Sequence, residues 1–461
     1  MILRSGWREA PGWIALILLA ATVIRLGMGL GYANNGDFWR AFRASGITYR
    51  AGLAEDQTFW NHRQSTYQLS PLPENPLALT YSPNDWVVRA GLAVQKWLAP
   101  SATARGVFHL FVVSALYLII ACLLVAGSWR RLSPRRKWLA AAILWVAADP
   151  FYSLFLGSFY SEALSLVCIT GLLLALLAGP AYHWLAVSTA LLLAFSKTQF
   201  LLSPLLLAAV CFALGQRWPP RRLAVMAAIL AAGAAFFLTR IPHRELTRVN
   251  RFHSAFYGAA SAAADGADTV RRLGFSARAA ALVGRSIYEA QTKPLLYPEL
   301  ESELDSYSRL RAAAVHLAEP RAAWRVLSRA GGELRRSRIA YLGQYEETYG
   351  LPLASVCGPA DYCATRAWVT ERFWPVYWIV IAAGVTAAVF LPALAGLRIA
   401  WGFLALFAAT QIHICFFGDG FWEFQKHLAL ARFGFDVLFV GALGILPYGV
   451  WRRIRPSPNS R

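Results

Sequence analysis

Charge is what this chain has least of. Charged side chains make up 15% of its 461 residues and apolar ones 57%, with a mean hydropathy of +0.42. A soluble globular domain carries about 25% charged residues, so a cytosolic enzyme and a disordered chain are both excluded. Cysteine is also scarce. Cys122, Cys168, Cys211 and Cys415 fall inside apolar runs, which leaves Cys357 and Cys363 and excludes a secreted disulfide scaffold. There is no glycine-rich nucleotide loop, no repeat of fixed period and no low-complexity segment, and His413 and His427 lack the spacing of a zinc pair. Acids are fewer than bases, 25 against 45, for a net charge of +20. Such a surplus suits nucleic acid, but in so apolar a chain it bears on membrane topology first, and no nucleic-acid partner is expected. Eighteen Trp and eighteen Tyr fit side chains that collect at membrane interfaces.

What is present are apolar runs of helical-span length, roughly 17–25 residues each. They lie near 12–32, 106–127, 138–155, 161–178, 184–197, 199–215, 222–239, 373–393, 400–416 and 428–450. The expected fold is an all-α polytopic bundle of about ten transmembrane helices with a large, mainly helical outer loop domain. Two long connections remain, 33–105 and 240–372. The organisation expected is a transmembrane module over 1–239, a loop domain over 240–372 and a second transmembrane module over 373–461. The first run follows Arg4 and Arg8 and ends at Gly29-Leu30-Gly31-Tyr32-Ala33 without a small-residue cleavage site, so it reads as a retained anchor.

The short loops give the orientation. Arg130, Arg131, Arg135, Arg136 and Lys137, then Arg217, Arg221 and Arg222, then Arg452, Arg453, Arg455 and Arg461 join Arg4, Arg8 and Arg398: fifteen basic residues against one acid, Glu9. By the positive-inside rule these segments are cytoplasmic, so both termini face in and both long connections face out. That parity requires residues 184–215 to be two short helices meeting at Phe195–Gln199 rather than one long span.

The second connection looks folded. Leu304, Tyr307, Leu310, Ala314 and Leu317 form a helical stripe over 303–317. Pro320 suits the first turn of another helix, with Trp324, Leu327 and Leu334 on one side and Arg321, Arg325, Arg329, Arg335, Arg336 and Arg338 on the other. That basic face is either solvated or meets anionic membrane lipids. Cys357-Gly-Pro-Ala-Asp-Tyr-Cys363 suits a disulfide in an oxidising compartment, or two free thiols.

Ionisable residues gather at the outer ends of the runs, where charge is costly and functional roles concentrate. Asn34-Asn35-Gly36-Asp37-Phe38-Trp39-Arg40 offers a carboxylate able to act as general base toward a hydroxyl, with the two amides suited to sugar hydroxyls. The same residues also suit a capped interfacial turn. Asp149-Pro150 and Tyr160-Ser161-Glu162 flank a short outer turn. The two acids can position an acceptor, hold a divalent cation through oxygen ligands, or cap two helices; no cofactor is identified. Lys197 is the one charge between Trp184 and Gln216 and suits either a lipid phosphate or a snorkelling anchor. Asp419, Glu423, Lys426 and His427, interleaved with aromatics, suit a sugar site or an interfacial belt. Arg25, inside the first run, has Asp436 as one conceivable partner.

The order of these motifs resembles the GT-C superfamily of integral-membrane glycosyltransferases. Asp149-Pro150 through Phe159-Tyr160-Ser161-Glu162-Ala163 is similar to the Asn-Pro…Tyr-Ser-Glu-Ser signature of GPI-type mannosyltransferases. A bacterial group of glycan-biosynthesis hexose transferases is similar at Asn34–Phe38, at Ser254-Ala255-Phe256-Tyr257-Gly258 and at Gly418-Asp419-Gly420…Lys426-His427-Leu428. Arg251-Phe252-His253 departs from that group, whose members are Asn-rich there.

The resemblance implies transfer of a hexose from a polyprenyl-phosphate donor to a glycan or lipid-linked acceptor, in surface-glycan biosynthesis at the outer face of a bacterial inner membrane. Asp37 is then the catalytic base and Lys197 the donor-phosphate contact. Asn34, Asn35, Arg40, Asp149, Tyr160 and Glu162 are acceptor or secondary site residues, and inverting displacement is the expected chemistry. The alternatives are a lipid-linked glycan flippase, which predicts an inverted repeat that the chain lacks, and a surface polysaccharide polymerase.

Overall fold

Apolar runs become helices here because a backbone in a bilayer has no water to satisfy its amides and must bond to itself. The structure, a computed structural model, describes residues 2–50, 63–72, 74, 80, 82–179, 182–214, 226, 228–236, 244–336, 338–339, 341–352 and 355–454. The basic segment 216–222, Arg455 and Arg461 lie outside the described residues, and the run at 222–239 is described only at 226 and 228–236.

The chain is mostly helical. Among the described residues, Glu9–Gly27, Leu110–Trp129 and Leu394–Asp419 are each long and apolar enough to cross a membrane. Two bent pairs raise the count to five: Pro134–Ala147 with Pro150–Gly157 at 64°, and Tyr362–Arg372 with Trp374–Phe390 at 109°. The first bend falls where Pro150 lacks an amide hydrogen and Asp149 caps the new turn by accepting from the Phe151 amide at 2.9 Å. Glu162–Ala178, His183–Ser196 and Thr198–Ala213 are shorter apolar helices. The chain between Trp184 and Leu214 does break, at an extended Lys197. Outward-facing Trp13, Ile17, Leu123 and Phe212 are each more than 60% exposed, a surface that suits lipid rather than water.

The chain forms two compact units. One comprises residues 1–240, 337–407 and 433–461. Its first connection and the start of the next apolar run carry a feature the all-α reading lacked, a three-stranded antiparallel sheet of β1 (Ile47–Thr48), β2 (Thr66–Leu69) and β3 (Val107–His109). Strands of two to four residues are too short for alternation to stand out in a sequence. The helix Pro83–Leu98 follows, started by a capping box: Ser82 Oγ accepts from the Asn84 amide and Asp85 accepts from that of Ser82. Cys357 and Cys363 are joined as a disulfide, with Cα atoms 6.3 Å apart.

Arg25 does not meet Asp436. It pairs with Asp361 and donates to the Ala148 carbonyl at 3.0 Å. Asp436, fully buried, instead takes both contacts of the Arg366 Nε at 2.8 and 3.0 Å and the hydroxyls of Tyr152 and Tyr377 at 2.5 and 2.7 Å. Several donors on one carboxylate are what a buried charge needs to be tolerated.

The other unit comprises residues 241–336 and 408–432. Its core gathers Phe252, Phe256, Val270, Leu273, Phe275, Leu282, Leu300 and Leu304. The stripe expected over 303–317 is two helices, Leu300–Ser306 and Arg309–Leu317, and Leu310 and Leu317 are 84% and 78% exposed. Pro320 does open a helix, Pro320–Arg335, but its buried face is Ala322, Val326, Ala330 and Leu334, and Trp324 and Leu327 face outward. Small residues at i, i+4 spacing allow the closest helix approach, which outweighs the larger area of the aromatic stripe. The basic face is partly engaged: Arg325 donates to the Ala262 and Ala263 carbonyls, and Arg329 lies 4.1 Å over the ring of Phe421.

Candidate functional site

Two carboxylate clusters emerge, one in each unit.

In the first unit, the segment after the first helix is fixed by backbone contact. A Cβ on Gly31 would stand 2.0 Å from the Gly157 carbonyl oxygen, and one on Gly157 would stand 2.4 Å from that of Leu30. Only glycine at both positions allows this approach. Arg63 clamps the two strands of chain from Nε to the Gly157 carbonyl at 3.2 Å and from its other end to that of Gly29 at 2.7 Å. Burial lowers its pKa, offset in part by Tyr67, Glu346 and Tyr349.

Asn34 then shapes the turn, its Oδ1 accepting from the amides of Gly36 at 2.9 Å and Phe38 at 3.0 Å. This is the local side-chain bonding that favours Asn in turns. Tyr160 joins the turn to the Glu162 helix, since its hydroxyl bonds to Asn35 Oδ1 at 2.6 Å and the Ala33 carbonyl at 2.9 Å. Phe38 packs edge-on against Tyr160 and Phe159, with centroids 4.9 and 5.3 Å apart. Asn84 supports the same turn by donating to the Phe159 carbonyl at 3.2 Å. Nearby Tyr49 and Tyr67 have their pKa values raised, chiefly by burial, and stay protonated at neutral pH.

On that scaffold Asp37 is 25% exposed and pairs with Arg40 at 3.0 Å. Glu162 opens the helix Glu162–Ala178, and Lys197 sits just past the end of His183–Ser196, the helix packed alongside. A carboxylate at an N-terminus and an ammonium at a C-terminus each suit the helix dipole. Their pair closes at 2.6 Å, with Glu162 buried and Lys197 partly so. Ser165 and Ser196 bond below it at 2.6 Å. Asp149 is taken up elsewhere: besides capping Phe151, it accepts from the backbone amide of Cys363. The structure thus gathers Asn34, Asn35, Asp37, Arg40 and Tyr160 in one turn, pairs Glu162 with Lys197, and gives Asp149 to the backbone.

In the second unit, Asp419 is held between two imidazoles, 2.8 Å from His253 Nδ1 and 3.4 Å from His427 Nε2. The cause is another glycine contact. A Cβ on Gly420, at φ +59°, would meet the His253 carbonyl at 2.4 Å, and one on Gly258 would meet Gly420 Cα at 2.9 Å. The segments 253–258 and 418–420 therefore pack backbone to backbone. His253 begins a π-helical turn, His253–Ala259, a form that recurs at functional positions. Its Nε2 accepts from the Ile287 amide at 3.3 Å and lies 3.0 Å from Ser286 Oγ, which puts the ring proton on Nδ1, toward Asp419. Trp422 stacks on the imidazole at 5.2 Å. Lys426, fully buried, pairs with Glu423, the one non-glycine residue at positive φ among those described.

The sequence offered Asp419 and His427 but not His253, whose only signal was its place before the Ser254–Gly258 motif. Among the described residues, no three of His, Cys, Asp and Glu are disposed to hold a metal ion.

A family model described as the YfdI N-terminal transmembrane domain matches residues 8–454. No curated protein and no solved structure matches the chain.

Proposed function

This chain belongs to the YfdI N-terminal transmembrane domain family, and on that premise we propose that it is a GT-C-type glycosyltransferase of about ten spans. It moves a hexose from a polyprenyl-phosphate donor to a glycan or lipid-linked acceptor, at the outer face of a bacterial inner membrane, with both termini cytoplasmic. The observation that carries the reading is the bonding of Tyr160, two residues before Glu162, to Ala33 and Asn35 of the turn that carries the partly exposed Asp37.

In this mechanism the acceptor hydroxyl gives its proton to Asp37 as its oxygen attacks the anomeric carbon. The bond from that carbon to the donor phosphate breaks, polyprenyl phosphate leaves, and the configuration inverts. Arg40, 3.0 Å away, orients the Asp37 carboxylate. Lys197, steered by Glu162, counters the phosphate charge that grows in the transition state. Asn35 and Tyr160 hold the turn, and Asp149 fixes the backbone behind it. The test is product analysis with purified chain in lipid nanodiscs, a polyprenyl-phosphate hexose and a lipid-linked acceptor. A glycosylated acceptor and released polyprenyl phosphate support the reading. Movement of lipid-linked glycan across the membrane with no new bond would replace it with a transporter.

A further inference from the structure

A cavity in the first unit has neither Asp37, Glu162 nor Lys197 among its lining residues. It holds about 740 Å³ between the helices Ile2–Gly27, Leu110–Trp129, Pro134–Ala147 and Glu162–Ala178, all in the first unit. Its walls are apolar, with Leu16, Leu19, Val125, Leu166 and Leu174 among them. Charge enters at one end alone, where Arg130 and Lys137 stand with Glu9. That end is fixed by the chain. Arg130 follows Leu110–Trp129, and neighbouring Arg136 donates to the Leu177 carbonyl at the close of Glu162–Ala178. Asp37 and Glu162 belong to the opposite ends of these helices. From Glu9 to Thr22 along the first helix the slot runs about 20 Å, longer than the ~15 Å of one leaflet's hydrocarbon.

We infer that this cavity is a binding site for an anionic glycerophospholipid, with an acyl chain in the slot and the headgroup phosphate between Arg130 and Lys137. Two membrane-length walls make the slot face hydrocarbon, which fills an apolar groove at no hydration cost. The charges select the headgroup: two cations against one carboxylate at the mouth, with Arg131 and Arg135 adjacent in the chain, oppose a zwitterion less than they favour an anion. This site is separate from the donor site proposed above, because Lys197 and Glu162 lie at the other end of the helix Glu162–Ala178. It does not depend on the transfer reading.

The test is native mass spectrometry of the full chain released from vesicles of mixed phosphatidylglycerol and phosphatidylcholine. Wild type is expected to retain phosphatidylglycerol preferentially. The double variant Arg130→Gln/Lys137→Gln should bind it about 30-fold more weakly, the effect of losing two headgroup contacts, and Arg130→Lys/Lys137→Arg should restore it. Ala126→Trp, at an exposed cavity-lining position, fills the slot with the charges intact and should also lose the lipid. Size-exclusion profiles matching wild type show that each variant is folded. Equal retention of both lipids by wild type, undiminished binding in either the Gln or the Trp variant, or displacement of phosphatidylglycerol by equimolar polyprenyl phosphate would each overturn the assignment.

Discussion

The two carboxylate clusters use the same parts for different ends. Asp419 is gripped by two imidazoles, one of them buried, stacked on Trp422 and backed by Ser286. Asp37 meets an arginine three residues away on its own turn and keeps a quarter of its surface open. Both rest on glycine-to-backbone contacts, Gly31 on Gly157 in one unit and Gly420 on His253 in the other. A carboxylate locked by neighbours fixes a backbone, whereas one that is positioned but open can accept a proton from a substrate. Under the proposed function, that difference assigns the chemistry to the Asp37 cluster and a structural part to the Asp419 cluster.

The sharpest check on what locked charge does lies at Asp436. Arg366→Met leaves a fully buried carboxylate without its ion-pair partner, and the expected cost is about 3–5 kcal/mol, read as a lower midpoint in detergent unfolding. Arg366→Met/Asp436→Leu should recover most of it. If the single variant is as stable as wild type, burial is a poor guide to which of these acids are structural. A smaller effect belongs to Lys197. Lys197→Met should lower kcat/KM for the donor by one to two orders of magnitude, the range for a hydrogen bond to a charged group of about 1.5–3 kcal/mol, with kcat falling more than KM rises. An unchanged kcat and kcat/KM would leave Lys197 as a membrane anchor only.

Asp419→Asn keeps shape but weakens two charge-assisted contacts, so it should lower the stability of its unit by about 1–2 kcal/mol while transfer stays within roughly tenfold of wild type. A larger loss of transfer would erase the distinction drawn above. The mildest effect is a pH dependence at His316, packed against Phe416 at a tilt and against Phe417 edge-on, with neither ring nitrogen hydrogen-bonded among the described residues. Burial lowers its pKa below the ordinary 6.5, His413 adds to this, and Glu319 opposes it. The neutral ring is the form the fold favours, so its contribution is intact above pH 6.5 and falls as the pH drops through the lowered value. Unfolding of His316→Leu followed across pH 5 to 7.5 should show a flatter profile than wild type.

What the sequence made legible was local. The stop at Asp149-Pro150, the helix opened by Pro320 and the break at Lys197 each follow from a few neighbouring residues, and each is found in the structure. The candidate acids at the ends of apolar runs were visible for the same reason, because charge is conspicuous against hydrocarbon. What could not be read were pairings across long separations. Arg25 finds Asp361 at 336 residues' distance, and His253 finds Asp419 at 166, with no periodicity linking either pair. The buried face of Pro320–Arg335 shares only Leu334 with the expected side, because a helix with apolar residues on two sides offers two stripes, and close packing chose the one with the alanines.

The most direct measurement is single-turnover hexose transfer by Asp37→Asn beside Asp419→Asn, both reconstituted in the same nanodiscs and matched for folded protein. Loss of a general base costs about 10²–10⁴ in rate. The Asp37 variant should fall by that factor with donor binding retained, and the Asp419 variant should stay near wild type. Transfer at the wild-type rate by Asp37→Asn, or the larger loss at Asp419→Asn, would contradict the assignment of the chemistry to the Asp37 turn.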